Sequence, residues 1–545
     1  MNFIELPSEL LLAILSLLDG RSIAYSSQVN RFLHTLVTSS SILCYKQQLF
    51  IYKKDDNVSN CASVAEKLRL LKREESSWRH CQPGFHVKVP LTFNPGSVYD
   101  LASGVYILGE DGRQTLRYID LPSNPVQELK WKAFMPQVES KEPRSIVDFA
   151  INLHEHNLIS LITESRSRNG NTSLFKLELR LHEFSTGNPH PQAKRTTLPI
   201  TNSEHQYGVQ PAVNCEIVGD HLALVAYFWR DPTAPCDVLV YNWKTGERLM
   251  KVAGNSSTYG GIIFLSVDKI LLPNILENTL EIWKIPSPGE EPPEGPMLRL
   301  GLFQTAPNYN IRYISCRAEP NPAPLNAVMR TDRPFYASAD DAIVLLHLRI
   351  QGMGEFSLLT VFVHRSALLK IAEDGSETDV PIPWNEWAPN IAFCYDCSGD
   401  RASRWITTTC GQRYVLLPLS EDEDLDPNLT SNVVILDFGK SHVQKIEQDI
   451  EAGKIKVGSD VDEYGPIVRR GPHHLPRESK KMFADDMICH LPYVESRSRE
   501  KYAFNGVLMD EERVIGIKVL FPWLFRYIRE ADYGRLTCSW DVFKG

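Results

Sequence analysis

From about Val87 onward, short apolar runs alternate with clusters of glycine, proline, asparagine and aspartate. The runs contain many β-branched and aromatic residues, and apolar residues rarely recur in them at helical spacing. Runs of this length and composition are typical of β-strands, and the clusters between them are typical of turns. The sequence therefore predicts that most of the 545-residue chain is an all-β region.

Within this region a unit of two strands recurs. Each unit is an apolar strand, a polar loop and a second strand that ends in an aromatic residue and a turn. The clearest units join Leu158–Ile162 to Leu179–Gly187, Leu222–Tyr227 to Val238–Glu247, Lys269–Leu272 to Leu280–Lys284, and Tyr414–Leu417 to Val433–Gly439. They resemble degenerate WD-type repeats, whose four-stranded blades close into a β-propeller because one blade cannot bury both its faces. At about 55–65 residues per blade we expect six to eight blades, with seven the favoured count. A pair of β-sandwiches or an irregular β domain is the alternative.

The first 48 residues have a different pattern, because apolar residues recur there at helical spacing. Leu6-Pro7 opens a helix, since proline is tolerated in a first turn, and Asp19-Gly20 ends it. We expect three short helices, with too little chain to bury every apolar face. The remaining face is either a docking surface for another protein or a surface packed against the rest of the chain.

Four blocks in this segment resemble the F-box motif in order and spacing. They are Leu6-Pro7-x-Glu9-Leu10-Leu11, Ile14-Leu15-Ser16-x-Leu18-Asp19, Ser27-Gln28-Val29-x-Arg31-Phe32, and Leu36. In that family the motif binds the Skp-type adaptor of an SCF-type ubiquitin ligase, which connects to a cullin scaffold. Carried over by position, the resemblance implies an adaptor-binding surface made of Leu6, Pro7, Leu10, Ile14, Leu15, Leu18, Val29 and Phe32.

The chain departs from the family pattern at three places. The family often has an aromatic residue at Leu17, a cysteine at Asn30, and a tryptophan near Cys44 or Tyr45. These departures lower the expected affinity for the adaptor. The similarity continues into a following helix, as in a fungal group of F-box proteins in which the motif precedes a helix and a large β-rich region.

That following helix is also indicated by spacing alone. Val64, Leu68, Leu71, Glu75 and Trp78 fall on one helical stripe, and the rest of the segment is mostly charged. We interpret it as a linker helix packed on the next domain, with its charges in solvent. The predicted fold class is thus α+β multidomain, with an F-box domain at 1–48, a linker helix region at 49–84, and a propeller-like substrate-recognition domain at 85–545.

Composition narrows the function classes. The net charge of -9 offers no general attraction to nucleic acid or to an anionic membrane. The apolar stretch Leu10–Leu18 is too short to span a bilayer and has no basic residues before it, so we expect no membrane or targeting segment. The 11 cysteines are scattered along the chain, which favours free thiols and a location in the cytoplasm, the nucleus or both.

No motif for catalysis or metal binding stands out. Cys394-x-x-Cys397 is a single pair, whereas tetrahedral zinc needs four ligands, and neither a phosphate-binding loop nor a nucleophile elbow is present. We therefore expect no cofactor, no metal and no enzymatic activity.

The sequence favours a substrate-recognition subunit of an SCF-type ligase, which binds the Skp-type adaptor, through it the cullin, and an unknown client protein. Two alternatives stay open. One is an F-box scaffold outside any ligase. The other is an enzyme whose site lies in the propeller channel, marked by convergent polar side chains with perturbed pKa values.

Overall fold

The structure is a computed structural model. It describes residues 3–137, 144–169, 172–205, 211–228, 235–255, 258–324, 332–352, 354–375, 380–398, 400, 407–418, 430–455, 465–519 and 538–544. Within these ranges no helix is both long enough and apolar enough to cross a membrane.

The N-terminal part is helical. After a 3-10 turn at Phe3–Glu5, its elements are α1 (Ser8–Ser16), α2 (Gly20–Val29), α3 (Arg31–Ser39), α4 (Ser41–Tyr52), β1 (Lys54–Asp56), α5 (Val64–Arg79) and β2 (Phe85–Pro90).

Four helices stand where three were expected, because the segment after Asp19-Gly20 forms two helices, α2 and α3. Asn30 has extended backbone dihedrals, and its side chain accepts the Leu33 N–H at 2.8 Å, so it ends α2 and caps α3. The last helix, α4, runs to Tyr52 and so passes residue 48. The linker helix is α5, with Leu71, Glu75 and Trp78 buried.

Seven antiparallel sheets of four or five strands lie in the described residues. Blades 1 to 4 follow one another along the chain, with α6 (Leu153–His156) inside blade 2. Their strands are β3 (Pro95–Ala102), β4 (Val105–Glu110), β5 (Leu116–Asp120) and β6 (Lys132–Phe134) in blade 1; β7 (Ser145–Asn152), β8 (Leu158–Asn169), β9 (Thr172–Glu183) and β10 (Thr197–His205) in blade 2; β11 (Pro211–Val218), β12 (His221–Phe228), β13 (Cys236–Asn242) and β14 (Glu247–Gly254) in blade 3; and β15 (Ile263–Ser266), β16 (Lys269–Asn274), β17 (Thr279–Lys284) and β18 (Leu298–Gly301) in blade 4.

The rest of the chain forms blades 5 and 6 and most of blade 7, and blades 5 and 6 carry inserted helices and short strand pairs. In chain order the elements are β19 (Tyr309–Arg317), β20 (Phe335–Ala337), β21 (Ile343–Gly352), β22 (Glu355–His364), α7 (Arg365–Asp374), α8 (Trp384–Trp387), β23 (Ala392–Asp396), β24 (Thr409–Cys410), β25 (Arg413–Leu416), β26 (Ser431–Asp437), α9 (Lys440–Glu451), β27 (Ile467–Arg469), β28 (His473–His474), α10 (Arg477–Lys480), β29 (Ile488–Cys489), β30 (Tyr493–Tyr502), β31 (Gly506–Met509), β32 (Arg513–Val519) and β33 (Cys538–Lys544). Blade 5 is β19-β21-β22-β23, blade 6 is β24-β25-β26-β30-β27, and β20 pairs with β1.

Blade 7 joins the two ends of the chain. Its order is β2-β33-β32-β31, so the outermost strand comes from Phe85–Pro90 and the others from the C-terminal part. Val87 lies opposite Val542 in this antiparallel pair. This pairing closes the ring, so the faces of blades 7 and 1, which an open array would expose, are buried against each other.

The core consists of apolar clusters between neighbouring blades. In the described residues seven such clusters each join one blade to the next, and the last joins blade 7 to blade 1. Strand β12 shows how one strand contributes to two clusters, because successive side chains point to opposite faces of the sheet. Leu222 and Leu224 pack towards blade 2, whereas Ala223 and Val225 pack towards blade 4. A strand buried on both faces has a continuous apolar sequence, which is why these runs were visible in the sequence.

The propeller prediction is confirmed. All four predicted units are the second and third strands of one blade, for example β12 with β13 in blade 3. The count of seven sheets among the described residues equals the favoured number.

Candidate functional site

The N-terminal helices expose an unusual amount of apolar side chain. Nine of the fifteen exposed large hydrophobic residues in the described chain lie within residues 3–42. Scattered exposed apolar residues are ordinary on a protein surface, but such a concentration in one small domain marks a docking surface. We call Leu10, Ile14, Leu17, Val29 and Phe32 the N-terminal apolar set.

Helical spacing places three members of this set on one side of α1. Leu10, Ile14 and Leu17 are four and three residues apart, so they share a stripe along the helix. Val29 is the last residue of α2 and Phe32 lies in the first turn of α3. Val29 is 72% exposed and Leu17 is 85% exposed, so no described residue covers them.

The opposite stripe of α1 forms the domain core. Leu11 and Leu15 pack with Ile23, Leu33 and Leu43 inside the four helices. The core of the helices is thus built from other apolar residues, and no member of the N-terminal apolar set belongs to it.

The predicted adaptor-binding residues therefore divide into two groups. Pro7, Leu10, Ile14, Val29 and Phe32 are exposed, as a contact surface requires, and Leu6 and Leu18 are half-buried against the core. Leu15 is only 2% exposed, so the assignment of Leu15 to the contact surface is corrected: it holds the helices together. The sequence prediction left out Leu17, Phe3, Ile4 and Ile42, although the spacing of Leu17 from Ile14 is a usable signal.

Polar contacts fix the angles between these helices. The Asp19 carboxylate accepts the Ser22 N–H at 2.7 Å and caps α2, and this backbone hydrogen bond lowers the pKa of Asp19. Lys46 of α4 donates its Nζ to carbonyls at the end of α1, on Ser16 and Leu18. At Gly20 a Cβ would lie 2.5 Å from the Lys46 carbonyl oxygen, so only glycine allows α2 and α4 to approach this closely.

The helical domain is attached to the propeller by β1 and α5. Strand β1 pairs with β20, and Asn57 donates its Nδ2 to the Arg333 carbonyl at 2.6 Å. Lys67 of α5 is buried and pairs with Asp56 at 2.8 Å, so the expectation that the charges of this helix are all in solvent is wrong for Lys67.

A buried ion network lies where α5 meets blade 6. Arg413 pairs through its guanidinium with Glu75 of α5, and its Nε donates to Asp437 at 2.9 Å. Its guanidinium carbon lies 5.2 Å from the ring centre of Trp78. Burial opposes the charge of Asp437, but His442 and Arg413 outweigh it and hold the pKa of Asp437 well below its usual range. In the sequence Glu75 interrupts an otherwise apolar stripe. Its partner Arg413 lies 338 residues away, so the reason for a charge at this position is not visible locally.

A second ion network lies in the propeller channel. Arg317 of blade 5 pairs with Asp100 of blade 1 at 2.7 Å, with Glu216 of blade 3 at 3.4 Å and with Glu319 at 2.8 Å. A cavity of about 390 Å³ lies beside these groups, where several innermost strands end. Burial raises the pKa of Asp148 to about 7, and burial together with nearby carboxylates raises the pKa of Glu319 to about 7 although Arg317 opposes it.

The lone C-x-x-C pair is part of the core. Cys394 and Cys397 are buried, Cys397 Sγ lies 2.9 Å from Thr360 Oγ1, and Cys394 Sγ lies 3.7 Å from Cys489 Sγ. Burial raises the pKa of Cys397, which keeps this thiol protonated. In the part of the chain that the structure describes, no three residues of the metal-ligating types are grouped as a metal site.

The fold and the helices together define a small helical docking domain carried on a β-propeller. The family model of the F-box domain matches residues 3–45, and a comparison with curated protein sequences finds no match. Among solved structures the chain is similar to BamB from Moraxella catarrhalis, at 8% identity and a TM-score of 0.28 over 83% of this chain and 98% of that one. It is also similar to the β-propeller domain of Cps50 (Swd1) from Myceliophteria thermophila, at 11% identity and a TM-score of 0.28 over 64% of this chain and 84% of that one.

The propeller assignment rests on the seven sheets of the described residues and on the apolar clusters between them. The chain therefore has an F-box domain, matched at residues 3–45, and a β-propeller region after it.

Proposed function

We propose that this chain is a substrate-recognition subunit of an SCF-type cullin-RING ubiquitin ligase, acting in the cytoplasm, the nucleus or both. The F-box helices bind a Skp-type adaptor, and the propeller binds a client protein. The chain contributes no chemical step. It raises the effective concentration of the client at the ubiquitin-conjugating enzyme.

The observation that carries this proposal is the N-terminal apolar set within an F-box. Its side chains are exposed on a domain whose core is built from other apolar residues, so a partner protein can bind them. Each fully buried Leu, Ile, Val or Phe side chain contributes about 1.5–3 kcal/mol, so a few such residues support a stable complex.

The attachment of the F-box to the propeller supports the same role. Strand pairing between β1 and β20 and the Glu75–Arg413 contact hold the two parts in one arrangement. A receptor that delivers a client to a distant enzyme needs such a fixed arrangement, because a loose linker lowers the effective concentration.

The experiment is reconstitution from purified components. Tagged full-length chain is mixed with a Skp-type adaptor and a cullin, and the Ile14→Asp variant is tested beside it. Val58→Asp is the matched control, because Val58 is 88% exposed and lies outside the F-box match. Recovery of both partners by wild type and Val58→Asp, and of neither by Ile14→Asp, supports the ligase role. Recovery of the adaptor without the cullin supports the scaffold alternative.

One observation favours a second candidate, an enzyme with its site in the channel. Carboxylates converge around Arg317, and burial raises the pKa values of two of them, Asp148 and Glu319, as is common for catalytic groups. Arg317 pairs with three of them, so the cluster is also explained as an ion network that joins blades 1, 3 and 5. Turnover of model esters, phosphoesters or glycosides by wild type but not by Glu319→Gln would favour the enzyme.

A further inference from the structure

A cleft of about 1330 Å³ lies between the F-box helices and the propeller. One wall is formed by α2, α3 and α4, and the other by α7, α8 and α9, which are insertions in blades 5 and 6. These helices pack on the blades through buried residues such as Leu368 and Val443, and their other sides line the cleft. The lining of the cleft includes no member of the N-terminal apolar set, so the two surfaces are made of different residues.

The described lining of this cleft carries an excess of positive charge. Two anions, Asp341 and Glu386, face five cations, which are Arg21, Lys53, Lys370, Lys440 and Lys445. Lys53 pairs with Asp341 at 3.1 Å, and Lys445 pairs with Asp449 at 2.7 Å. Lys370 and Lys440 are exposed and form no ion pair with a described residue.

Two helices begin at the same cleft. The first-turn residues Ser366 and Ala367 of α7 and Lys440 and Ser441 of α9 line it. Neither helix has a side-chain cap at its N-terminus. The Arg365 N–H of α7 is donated to the Ala342 carbonyl at 2.9 Å, so the N–H groups offered to an anion are those of Ser366 and Ala367 in α7 and of Lys440 and Ser441 in α9. The dipoles of both helices add to the positive potential of the lysines.

The floor of the cleft is apolar. Ile371, Ile382 and Ile391 are half-buried against the core between blades 4 and 5, and each lines the cleft. Trp387 lies beside them, with its indole N–H donated to the Gly301 carbonyl at 2.8 Å. This floor suits an apolar side chain and has few polar groups to satisfy.

We propose that this cleft binds an anionic peptide segment of a client protein. Carboxylate or phosphate groups of the segment lie at Lys370, Lys440 and the two helix N-termini, and an apolar side chain lies against Ile371 and Ile382. The assignment of the segment to a client rests on the proposed function, whereas the binding of an anionic peptide does not.

The test is fluorescence anisotropy with full-length chain and three labelled peptides. The peptides share one leucine-centred sequence and carry glutamate, phosphoserine or lysine at the flanking positions. We expect an anionic peptide to bind, and the Lys370→Glu/Lys440→Glu variant to bind it at least about tenfold more weakly at low salt. The matched control is Lys284→Glu/Lys501→Glu, because both lysines are exposed, carry the same charge change and lie outside the cleft.

Equal affinity of the two double variants, or binding of the lysine peptide as tight as that of the anionic ones, would overturn the cleft assignment. Preference between glutamate and phosphoserine identifies the anion. Adaptor binding is measured on the same samples. Peptide binding without adaptor binding would contradict the client role but support the anionic-peptide site. Adaptor binding without peptide binding would contradict the site alone.

Discussion

Replacing Arg413 by methionine tests whether the F-box is rigidly attached to the propeller. The side chain of Glu75 is 1% exposed, so this change leaves its carboxylate buried without its cationic partner. Asp437 keeps His442, at 3.0 Å, and the Gly439 N–H, at 2.9 Å. Removing one partner of a buried pair costs about 3–5 kcal/mol, and we expect a loss of this size in the free energy of unfolding.

The assay is urea denaturation followed by tryptophan fluorescence, with hydrogen exchange measured on peptides from Val64–Arg79. The matched control is Arg469→Met, since Arg469 is 45% exposed and its pair with Glu495 should contribute under about 1 kcal/mol. The Glu75→Gln/Arg413→Met double variant should regain stability, because it buries no unpaired charge. A loss for Arg413→Met no larger than that of Arg469→Met, with unchanged exchange in α5, would refute the reasoning.

Two further changes test other parts of the structure. Leu15→Ala should lower the free energy of unfolding of the F-box by about 2–5 kcal/mol, because it leaves a cavity in the core. Ile14→Ala should lower it by under about 1 kcal/mol, because Ile14 is exposed. Equal losses in a denaturation experiment would contradict the division of α1 into a core stripe and a contact stripe. Burial raises the pKa of Asp148 to about 7 in the folded chain, so the fold is most stable when this carboxyl is protonated. The free energy of unfolding is therefore highest at low pH and falls as the pH rises from the ordinary pKa of an aspartate towards 7. Asp148→Asn should therefore stabilise the chain by about 2 kcal/mol more at pH 8 than at pH 5, and a difference that does not change with pH would contradict this.

Much of the fold could be predicted because its signals are local. In blade 3 the run Leu222–Tyr227 is buried on both faces, and Trp243 packs under the preceding turn, with its indole N–H donated to the Gly219 carbonyl at 2.9 Å. Such strands keep a continuous apolar sequence that can be read without the rest of the chain. The F-box helices are likewise visible from apolar spacing.

The remaining features depend on partners far away in the sequence. Strand β2 looks like any short strand, and only its pairing with β33 shows that it closes the ring. Lys67 looks like a solvent-facing charge, and Glu75 looks like a break in an apolar stripe, until Asp56 and Arg413 are placed beside them. Spacing divides α1 into two stripes but does not tell which stripe is buried, and Leu15 was placed on the contact surface by the resemblance to the F-box motif.

The most direct test of the central claim is the affinity of purified full-length chain for a purified Skp-type adaptor, measured by isothermal titration calorimetry. We expect wild type and Val58→Asp to bind equally, and Ile14→Asp and Val29→Asp to bind at least about 100-fold more weakly, because each buries an unpaired carboxylate in an apolar contact. Circular dichroism of both variants serves as the control for folding. Binding of folded Ile14→Asp and Val29→Asp with wild-type affinity would contradict the account.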